Sequence, residues 1–212
     1  MDTGIFITVE GIEGVGKSTH IDRLSRIIQG HGHKVLETRE PGGTPTAELI
    51  RSVVLGHTEE PIPDIAELLL MFASRSLLVE NVILPALIAG TWVVSDRFVD
   101  ASRAYQGGGR GVPMERVNLL AEWVLGDLRP DLTILLDAPV ETGMERTGRR
   151  GDPDRLDSER AEFYQRVREA YLQLAAAEPD RFVVIDASGD LEQVSAAIDA
   201  IAESLLSDTD SR

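Results

Sequence analysis

One stretch near the N-terminus decides the fold of this chain: Gly11-Ile12-Glu13-Gly14-Val15-Gly16-Lys17-Ser18-Thr19. It matches the pattern G-x-x-x-x-G-K-[ST], in which glycines let backbone N–H groups turn inward around phosphate oxygens. An apolar run at residues 5–9 precedes it, and an amphipathic helical pattern over residues 21–28 follows it. This context favours a phosphate-binding loop over a chance glycine-rich turn. We expect Lys17 to reach nucleotide phosphates and Ser18 to coordinate Mg²⁺.

Four further runs rich in Val, Ile and Leu lie along the chain, at residues 34–38, 91–95, 132–136 and 182–185. Continuous apolar runs of this length are typical of strands buried on both faces of a parallel sheet. Helical patterns separate them, including a segment at residues 67–79 that is apolar nearly all round. We therefore predict an α/β fold, a three-layer α/β/α sandwich of the P-loop NTPase type with a five-stranded parallel sheet.

Composition excludes several classes of protein. The 36 acidic and 21 basic residues give a net charge of −15, which opposes binding to nucleic-acid polymers. The chain has no cysteine, which excludes a disulfide framework and suits the cytoplasm. The uncharged stretch at residues 81–95 is shorter than the roughly 20 residues of a membrane span. We expect one cytoplasmic domain, residues 1–206, with no membrane partner, and a polar tail at 207–212.

Two polar segments are loop-like by composition. The glycine-rich run at residues 106–111 is expected to be flexible, and residues 146–155 contain four arginines beside glycine and proline. Asp96 follows the third predicted strand and is followed at once by Arg97, which suggests a second phosphate site. Neither lysine of the chain lies in the Asn-Lys-x-Asp motif of GTPases, so a small-molecule kinase is favoured over a GTPase or a motor-like ATPase.

With these motifs in order, the sequence resembles the thymidylate kinase family. The matching blocks are GIEGVGKST (11–19), TREPGGT (38–44), ELLLMFASR (67–75), SDRFVDASRAYQGGGRG (95–111) and RTGRRGDPDRLD (146–157). The resemblance implies transfer of the γ-phosphate of ATP to dTMP, Mg²⁺ as a cofactor and a homodimer. Another nucleoside monophosphate kinase, or a regulatory protein that binds nucleotides without turnover, would be the alternatives.

The resemblance also assigns the donor side of the site. The implied ATP-binding residues are Gly11, Ile12, Glu13, Gly14, Val15, Gly16, Lys17, Ser18, Thr19, Arg146 and Arg149. The implied metal ligands are Ser18 and Asp96. Some relatives carry a basic residue at the position of Gly14, so here a lid at about residues 143–157 is expected to supply the catalytic charge. The implied catalytic residues are Lys17, Arg97, Arg150, Arg146 and Glu13, with Arg149 and Arg155 on the same lid.

The implied dTMP-binding residues are Glu13, Arg39, Pro41, Arg51, Phe72, Arg75, Arg97, Ser102, Tyr105 and Gln106. Phe72 is expected to stack on thymine, although many relatives carry this aromatic at the position of Met71, and a plain core role is the alternative. Arg75 only donates hydrogen bonds, so it would donate to thymine O4 and reject the amino group of cytosine.

Alternatives remain open for several of these side chains. Arg97 would otherwise form a structural ion pair with Asp96 or Asp100. Glu13 would contact the sugar 3′-hydroxyl or the metal shell, or else support Lys17 or an arginine. Surface salt bridges are the alternative for Arg39 and Arg51.

Overall fold

The computed structural model describes residues 3–56, 59–148, 155–156 and 159–210. Within these ranges, five strands form one fully parallel sheet in the order β2-β3-β1-β4-β5. The strands are β1 (Phe6–Glu10), β2 (Val35–Arg39), β3 (Trp92–Asp96), β4 (Leu132–Asp137) and β5 (Phe182–Asp186). The predicted fold class is therefore confirmed.

Each strand continues one residue beyond the predicted apolar run and ends on a charged residue. These last residues are Glu10, Arg39, Asp96, Asp137 and Asp186. The predicted strands ended too early because hydropathy indicates buried residues, whereas a charged residue at the end of a strand can still pair with its neighbours. Asp96, for example, pairs with Val9 and with Arg39. The carboxyl ends of the strands consequently form a charged edge, which is where ligands bind in open α/β sheets.

Helices cover both faces of the sheet. They are α1 (Lys17–Gly30), α2 (Pro45–Leu55), α3 (Asp64–Leu78), α4 (Leu84–Ile88), α5 (Val99–Ser102), α6 (Met114–Leu125), α7 (Val140–Thr147), α8 (Ala161–Ala177) and α9 (Leu191–Asp210). A π-helical turn, Val79–Ile83, joins α3 to α4, and a second, Arg103–Gly109, extends α5. The side chains of β1 alternate between two cores: Ile7 lies with Leu24 of α1, and Phe6 lies with Leu68 of α3.

The C-terminal helix is longer than predicted. Helix α9 runs to Asp210, so most of the predicted polar tail at 207–212 is helical. Ser207 and Thr209 donate their hydroxyl protons to the carbonyls of Glu203 and Leu205, one turn back. The two hydroxyl groups are thus satisfied within the helix itself.

The helix Asp64–Ile88 is long and apolar enough to cross a membrane by length and composition alone. Core helices of soluble proteins pass the same test, so this is weak evidence. Leu68, Leu78 and Ile83 on this helix are almost fully buried in the core that contains Phe6, which is the smaller of the two cores. The packing is that of a core helix.

The glycine-rich run at 106–111 is not the flexible loop that composition predicts. Residues through Gly109 are helical and pack against α8. A Cβ atom at Gly108 would lie 2.5 Å from Cβ of Ala170, and one at Gly109 would lie 2.5 Å from Cε2 of Phe163. These two glycines provide room for close helix packing.

Candidate active site

A cavity of about 610 Å³ lies at the carboxyl edge of the sheet. The predicted residues that line it are Ile12, Glu13, Gly14, Gly16, Lys17, Ser18, Arg39, Pro41, Arg51, Asp96, Arg97, Tyr105 and Gln106. The predicted residues Gly11, Val15, Thr19, Phe72, Arg75, Ser102 and Arg146 do not line it. Arg149 and Arg150 lie outside the described residues. The fold thus brings the phosphate loop and the Asp96–Arg97 pair to one cavity.

The phosphate loop depends on glycine backbone geometry. Gly11, Gly14 and Gly16 have φ angles of 135°, 78° and 93°, a region that disfavours other residues. Gly16 caps α1, which begins at Lys17 and has no acidic residue in its first turn. The loop and the N-terminus of this helix therefore offer N–H groups to an anion.

Lys17 is held inside the loop. Its Nζ donates to the carbonyl oxygens of Gly11 and Ile12, at 3.2 and 3.0 Å. Burial, together with the nearby charge of Arg97, lowers the pKa of Lys17 to about 8. A bound polyphosphate would favour the charged form of this side chain.

Arg97 projects from a strained position directly after β3. Its φ is 73°, a left-handed conformation that is rare for a residue with a side chain. The guanidinium donates to the carbonyl of Gly11 at 2.7 Å and to Glu13 Oε1 at 2.8 Å. Tyr171 Oη lies 3.3 Å from the same guanidinium. Neither Asp96 nor Asp100 forms the ion pair considered as the alternative for Arg97; its carboxylate partner is Glu13.

Glu13 is engaged at both carboxylate oxygens. Oε1 accepts from Arg97, and Oε2 accepts from the hydroxyl of Tyr105 at 2.7 Å. The guanidinium of Arg97 also lies over the ring of Tyr105, 4.9 Å from its centroid. Glu13 therefore supports an arginine, while its contact with the sugar 3′-hydroxyl or the metal shell stays a prediction.

Glu10 and Tyr171, which the sequence did not indicate, lie beneath Arg97. Tyr171 donates its hydroxyl proton to Glu10 Oε2 at 2.7 Å, and the backbone N–H of Phe98 donates to Oε1 at 2.8 Å. Burial, reinforced by the charge of Asp100, raises the pKa of Glu10 to about 8. A glutamate at the end of an otherwise apolar strand was the available signal.

Arg75 is fully buried one layer behind the cavity wall. Its Nε donates to Glu40 Oε2 at 2.8 Å, and Nη2 donates to Ser102 Oγ at 3.0 Å. Its Nη1 has no hydrogen-bond partner among the described residues. A buried guanidinium with one unused donor is suited to a ligand that offers an oxygen acceptor.

The structure differs from the prediction for Phe72. The ring of Phe72 lies in the smaller core, 4.6 Å from the guanidinium of Arg75, and Met71 is the α3 side chain that lines the cavity. Met71, four positions before Arg75, lines the cavity, whereas Phe72, three positions before it, turns into the core. Met71 thus takes the place predicted for an aromatic residue.

Gln106 lines the cavity, and the nitrogen of its side-chain amide is bound by another residue. Its Nε2 donates to Glu67 Oε1 at 2.8 Å, while its Oε1 is buried and has no partner among the described residues. Glu67 is itself 1% exposed. Glu67 was not among the predicted site residues, although an acidic residue inside an apolar helix was a signal for it.

Arg39 and Arg51 lie at the mouth of the cavity beside the loop that follows β2. Arg39 pairs with Glu48 at 3.0 Å, and both side chains are exposed, as the salt-bridge alternative anticipated. Arg51 donates to the carbonyl of Pro41 at 2.8 Å. The peptide bond between Glu40 and Pro41 is cis.

The two described arginines of the predicted lid form hydrogen bonds to protein groups and do not line the cavity. Arg146, on α7, donates to the carbonyl of Ala187 at 3.1 Å. Arg155 donates to Glu67 Oε2 at 2.5 Å and to the carbonyl of Val54 at 2.8 Å. The first part of the predicted lid is helical, since α7 extends to Thr147.

Comparisons with known proteins agree on one family. The profile described as thymidylate kinase matches residues 9–198. Thymidylate kinases of Ectopseudomonas mendocina and Methylococcus capsulatus are 50% and 51% identical to this chain, over 96% and 97% of its length and 97% and 98% of theirs. The crystal structure of thymidylate kinase from Ehrlichia chaffeensis superposes with a TM-score of 0.76 at 29% identity, covering 94% of this chain and 98% of that one. The chain belongs to the thymidylate kinase family.

Proposed function

We propose how this cavity carries out the reaction of the family, in which ATP and dTMP give ADP and dTDP. The observation that carries the proposal is the meeting of the phosphate loop and Arg97 in one cavity, linked through Glu13. The acceptor is a phosphate oxygen that is already largely ionised at neutral pH, because a phosphomonoester has a second pKa of about 6. Catalysis therefore requires positioning and positive charge more than a general base.

The donor side is the loop at residues 11–19. Its N–H groups hold the phosphates of ATP, and Lys17 leaves the carbonyls of Gly11 and Ile12 to bind them. Arg146 and Arg149 are assigned to the ATP side, as the family resemblance implies. Since Gly14 carries no charge, Arg150 and Arg146 are assigned the catalytic charge of the lid.

The acceptor side is centred on Arg97, which binds the dTMP phosphate next to the transferring group. Arg39, Arg51 and the loop at Pro41 line the same part of the cavity and complete the phosphate and sugar contacts. Glu13 holds Arg97 and Tyr105 in place and contacts the sugar hydroxyl. Tyr105 lies beneath the sugar.

The proposed base contacts use two of the buried polar atoms that have no hydrogen-bond partner among the described residues. Arg75 Nη1 donates to thymine O4, and Gln106 Oε1 accepts from thymine N3–H. Ser102 supports Arg75, and Met71 packs against the base in place of Phe72. Cytosine reverses both hydrogen-bonding groups and is rejected.

Asp96 and Ser18 are the proposed Mg²⁺ ligands. Both line the cavity, and Asp96 Oδ1 is buried with no partner among the described residues. Mg²⁺ usually takes one or two protein carboxylates and completes its shell with water and phosphate oxygens, so this modest donor set fits. When bound, Mg²⁺ supplies charge that neutralises the phosphates.

We further propose a cytoplasmic homodimer built from a single kinase domain. The exposed apolar side chains Leu69 on α3, and Leu119 and Trp123 on α6, support a contact surface there; Trp123 is 83% exposed. Large aromatic residues of this kind are enriched in interfaces. Sedimentation of Trp123→Asp tests the surface: a dimer as stable as the wild type would contradict it.

The function is tested by ADP release with a panel of nucleoside monophosphates and ATP–Mg²⁺. We expect dTMP to be the preferred acceptor, with CMP, UMP and GMP near the blank. Turnover with CMP, UMP or GMP but not dTMP would overturn the substrate assignment. The absence of turnover with any acceptor would indicate a nucleotide-binding regulator.

A further inference from the structure

Glu67 connects the proposed base-reading residue to the rest of the molecule. Its Oε1 accepts from Gln106 Nε2 at 2.8 Å and from Arg110 Nε at 3.3 Å. Its Oε2 accepts from Arg110 Nη2 at 3.2 Å and from Arg155 Nη2 at 2.5 Å. Glu67 does not line the cavity, yet every hydrogen bond to its carboxylate from the described residues comes from a donor.

An ionised carboxylate can only accept hydrogen bonds, whereas an amide has one face that donates and one that accepts. Gln106 must therefore turn its NH₂ group toward Glu67. The reversed amide would place two acceptor oxygens against each other in a buried site, which is unfavourable. Gln106 Oε1, which has no hydrogen-bond partner in the described part of the chain, is consequently the atom that remains for a ligand.

Glu67 is kept in the ionised form that this argument requires. Burial alone would raise its pKa, but hydrogen bonds from Gln106, Arg155 and Arg110 hold the pKa below the usual value. The proton that would turn Glu67 into a donor is therefore absent at neutral pH.

We propose that Glu67 is a specificity-determining positioning residue, which fixes the polarity of the Gln106 amide so that the cavity accepts bases with an N–H donor at N3. This inference rests on the proposed assignment of Gln106 to the base edge. Glu67 does not touch the substrate. A freely rotating glutamine can bind a base that offers either a donor or an acceptor, and the contact with Glu67 explains why Gln106 binds only a donor.

The substitution Glu67→Gln reverses the predicted polarity. Arg110 and Arg155 still require an oxygen, so the new amide turns its oxygen to them and its NH₂ to Gln106. Gln106 must then rotate and present its own NH₂ to the cavity. The variant should lose preference for dTMP and gain activity with an analogue whose N3 is a bare acceptor.

The measurement is kcat/KM with dTMP and with its 4-deoxy analogue, whose base is 5-methylpyrimidin-2-one. In Glu67→Gln we expect KM to rise for dTMP and to fall for the analogue, with the ratio of the two kcat/KM values dropping at least about tenfold. A general structural defect would lower both activities together and leave the ratio unchanged, and that result would overturn the proposal.

Two further variants separate the possible failures. Glu159→Gln removes a carboxylate 2.5 Å from Arg110 without touching Gln106, so its ratio should equal that of the wild type. Gln106→Leu should abolish discrimination at N3. If Gln106→Leu keeps wild-type discrimination, the assignment of Gln106 fails; if it loses discrimination while Glu67→Gln keeps it, only the role of Glu67 fails.

A neutron structure of the wild-type complex with dTMP tests the same point without any substitution, and it decides the matter if Glu67→Gln does not fold. We expect the two deuterons of the Gln106 amide to face Glu67 and the oxygen to face N3 of thymine. Deuterons directed at the base would overturn the inference.

Discussion

The proposed phosphate side of the site, residues 11–19 with Arg97, and the proposed base side, Arg75 with Gln106 and Glu67, are built in different ways. On the phosphate side, consecutive residues supply backbone groups, and left-handed φ angles at Gly11, Gly14, Gly16 and Arg97 shape them. On the base side, the side-chain hydrogen bonds of Arg75, Gln106 and Glu67 join residues 23 to 88 positions apart. The first depends on local geometry, and the second depends on balanced charges in a buried network.

Substitutions on the two sides should have different effects on activity and on stability. A change on the phosphate side removes an interaction with the reacting groups and leaves the fold intact. A change on the base side leaves a buried charge without its partner, so stability and recognition suffer together. The following experiments are arranged from the largest expected effect to the smallest.

Lys17→Ala should lower kcat/KM at least about 10³-fold, because the positive charge on the transferring phosphates is lost. The melting temperature should stay close to that of the wild type. The matched control is Lys34→Ala, which removes the other lysine of the chain at an exposed position. A comparable loss of activity in Lys34→Ala would show that the effect is not specific to the loop.

Arg75→Gln should lower the free energy of unfolding by about 3 kcal/mol, since Glu40 would remain buried without its counter-charge. Urea denaturation measures this change. Arg39→Gln breaks the exposed pair with Glu48 and should cost at most about 1 kcal/mol. Equal losses in the two variants would contradict the distinction between the buried network and the surface pair.

Glu10→Gln should alter how stability depends on pH. The pKa of Glu10 is about 8 in the folded chain and near 4.5 when unfolded, so the folded state keeps a proton that the unfolded state releases. Wild-type stability should therefore fall between about pH 5 and pH 8, by up to about 1.4 kcal/mol per pH unit from this group. Glutamine does not titrate, so the difference between variant and wild type should grow with pH; parallel curves would exclude this role.

The smallest effect concerns the methyl group of thymine. With dUMP in place of dTMP, kcat/KM should fall about tenfold, because one methyl group in a fitted pocket contributes about 1–3 kcal/mol. Lys17→Ala should leave this ratio unchanged. A ratio that changes in Lys17→Ala would show that the two sides of the cavity are not independent.

The phosphate side was predictable because its signal is local. The motif at residues 11–19 specifies its own backbone, and Arg97 directly follows a strand that hydropathy identifies. The base side was predictable only in part. Whether Met71 or Phe72 faces the cavity depends on the rotation of α3 about its axis. Neighbouring positions on a helix point in different directions, so one of these side chains faces the cavity and the other faces the core.

The buried carboxylates could not be placed from the sequence. Glu10, Glu40 and Glu67 each lie in or beside an apolar segment, but their partners are far along the chain and become neighbours only when the sheet forms. The glycine run at 106–111 was misread for a related reason, since composition cannot distinguish freedom of the backbone from the close approach of another helix.

Those glycines have a consequence for how the sequence tolerates change. Gly108 and Gly109 set the distance between their own helix and α8, and α8 carries Tyr171, whose hydroxyl contacts both Arg97 and Glu10. A single added methyl group at either glycine would shift that helix and, through Tyr171, the arginine proposed to bind the acceptor phosphate. Substitutions at these two glycines would therefore alter activity, even though both residues lie in a segment whose composition suggests a surface loop.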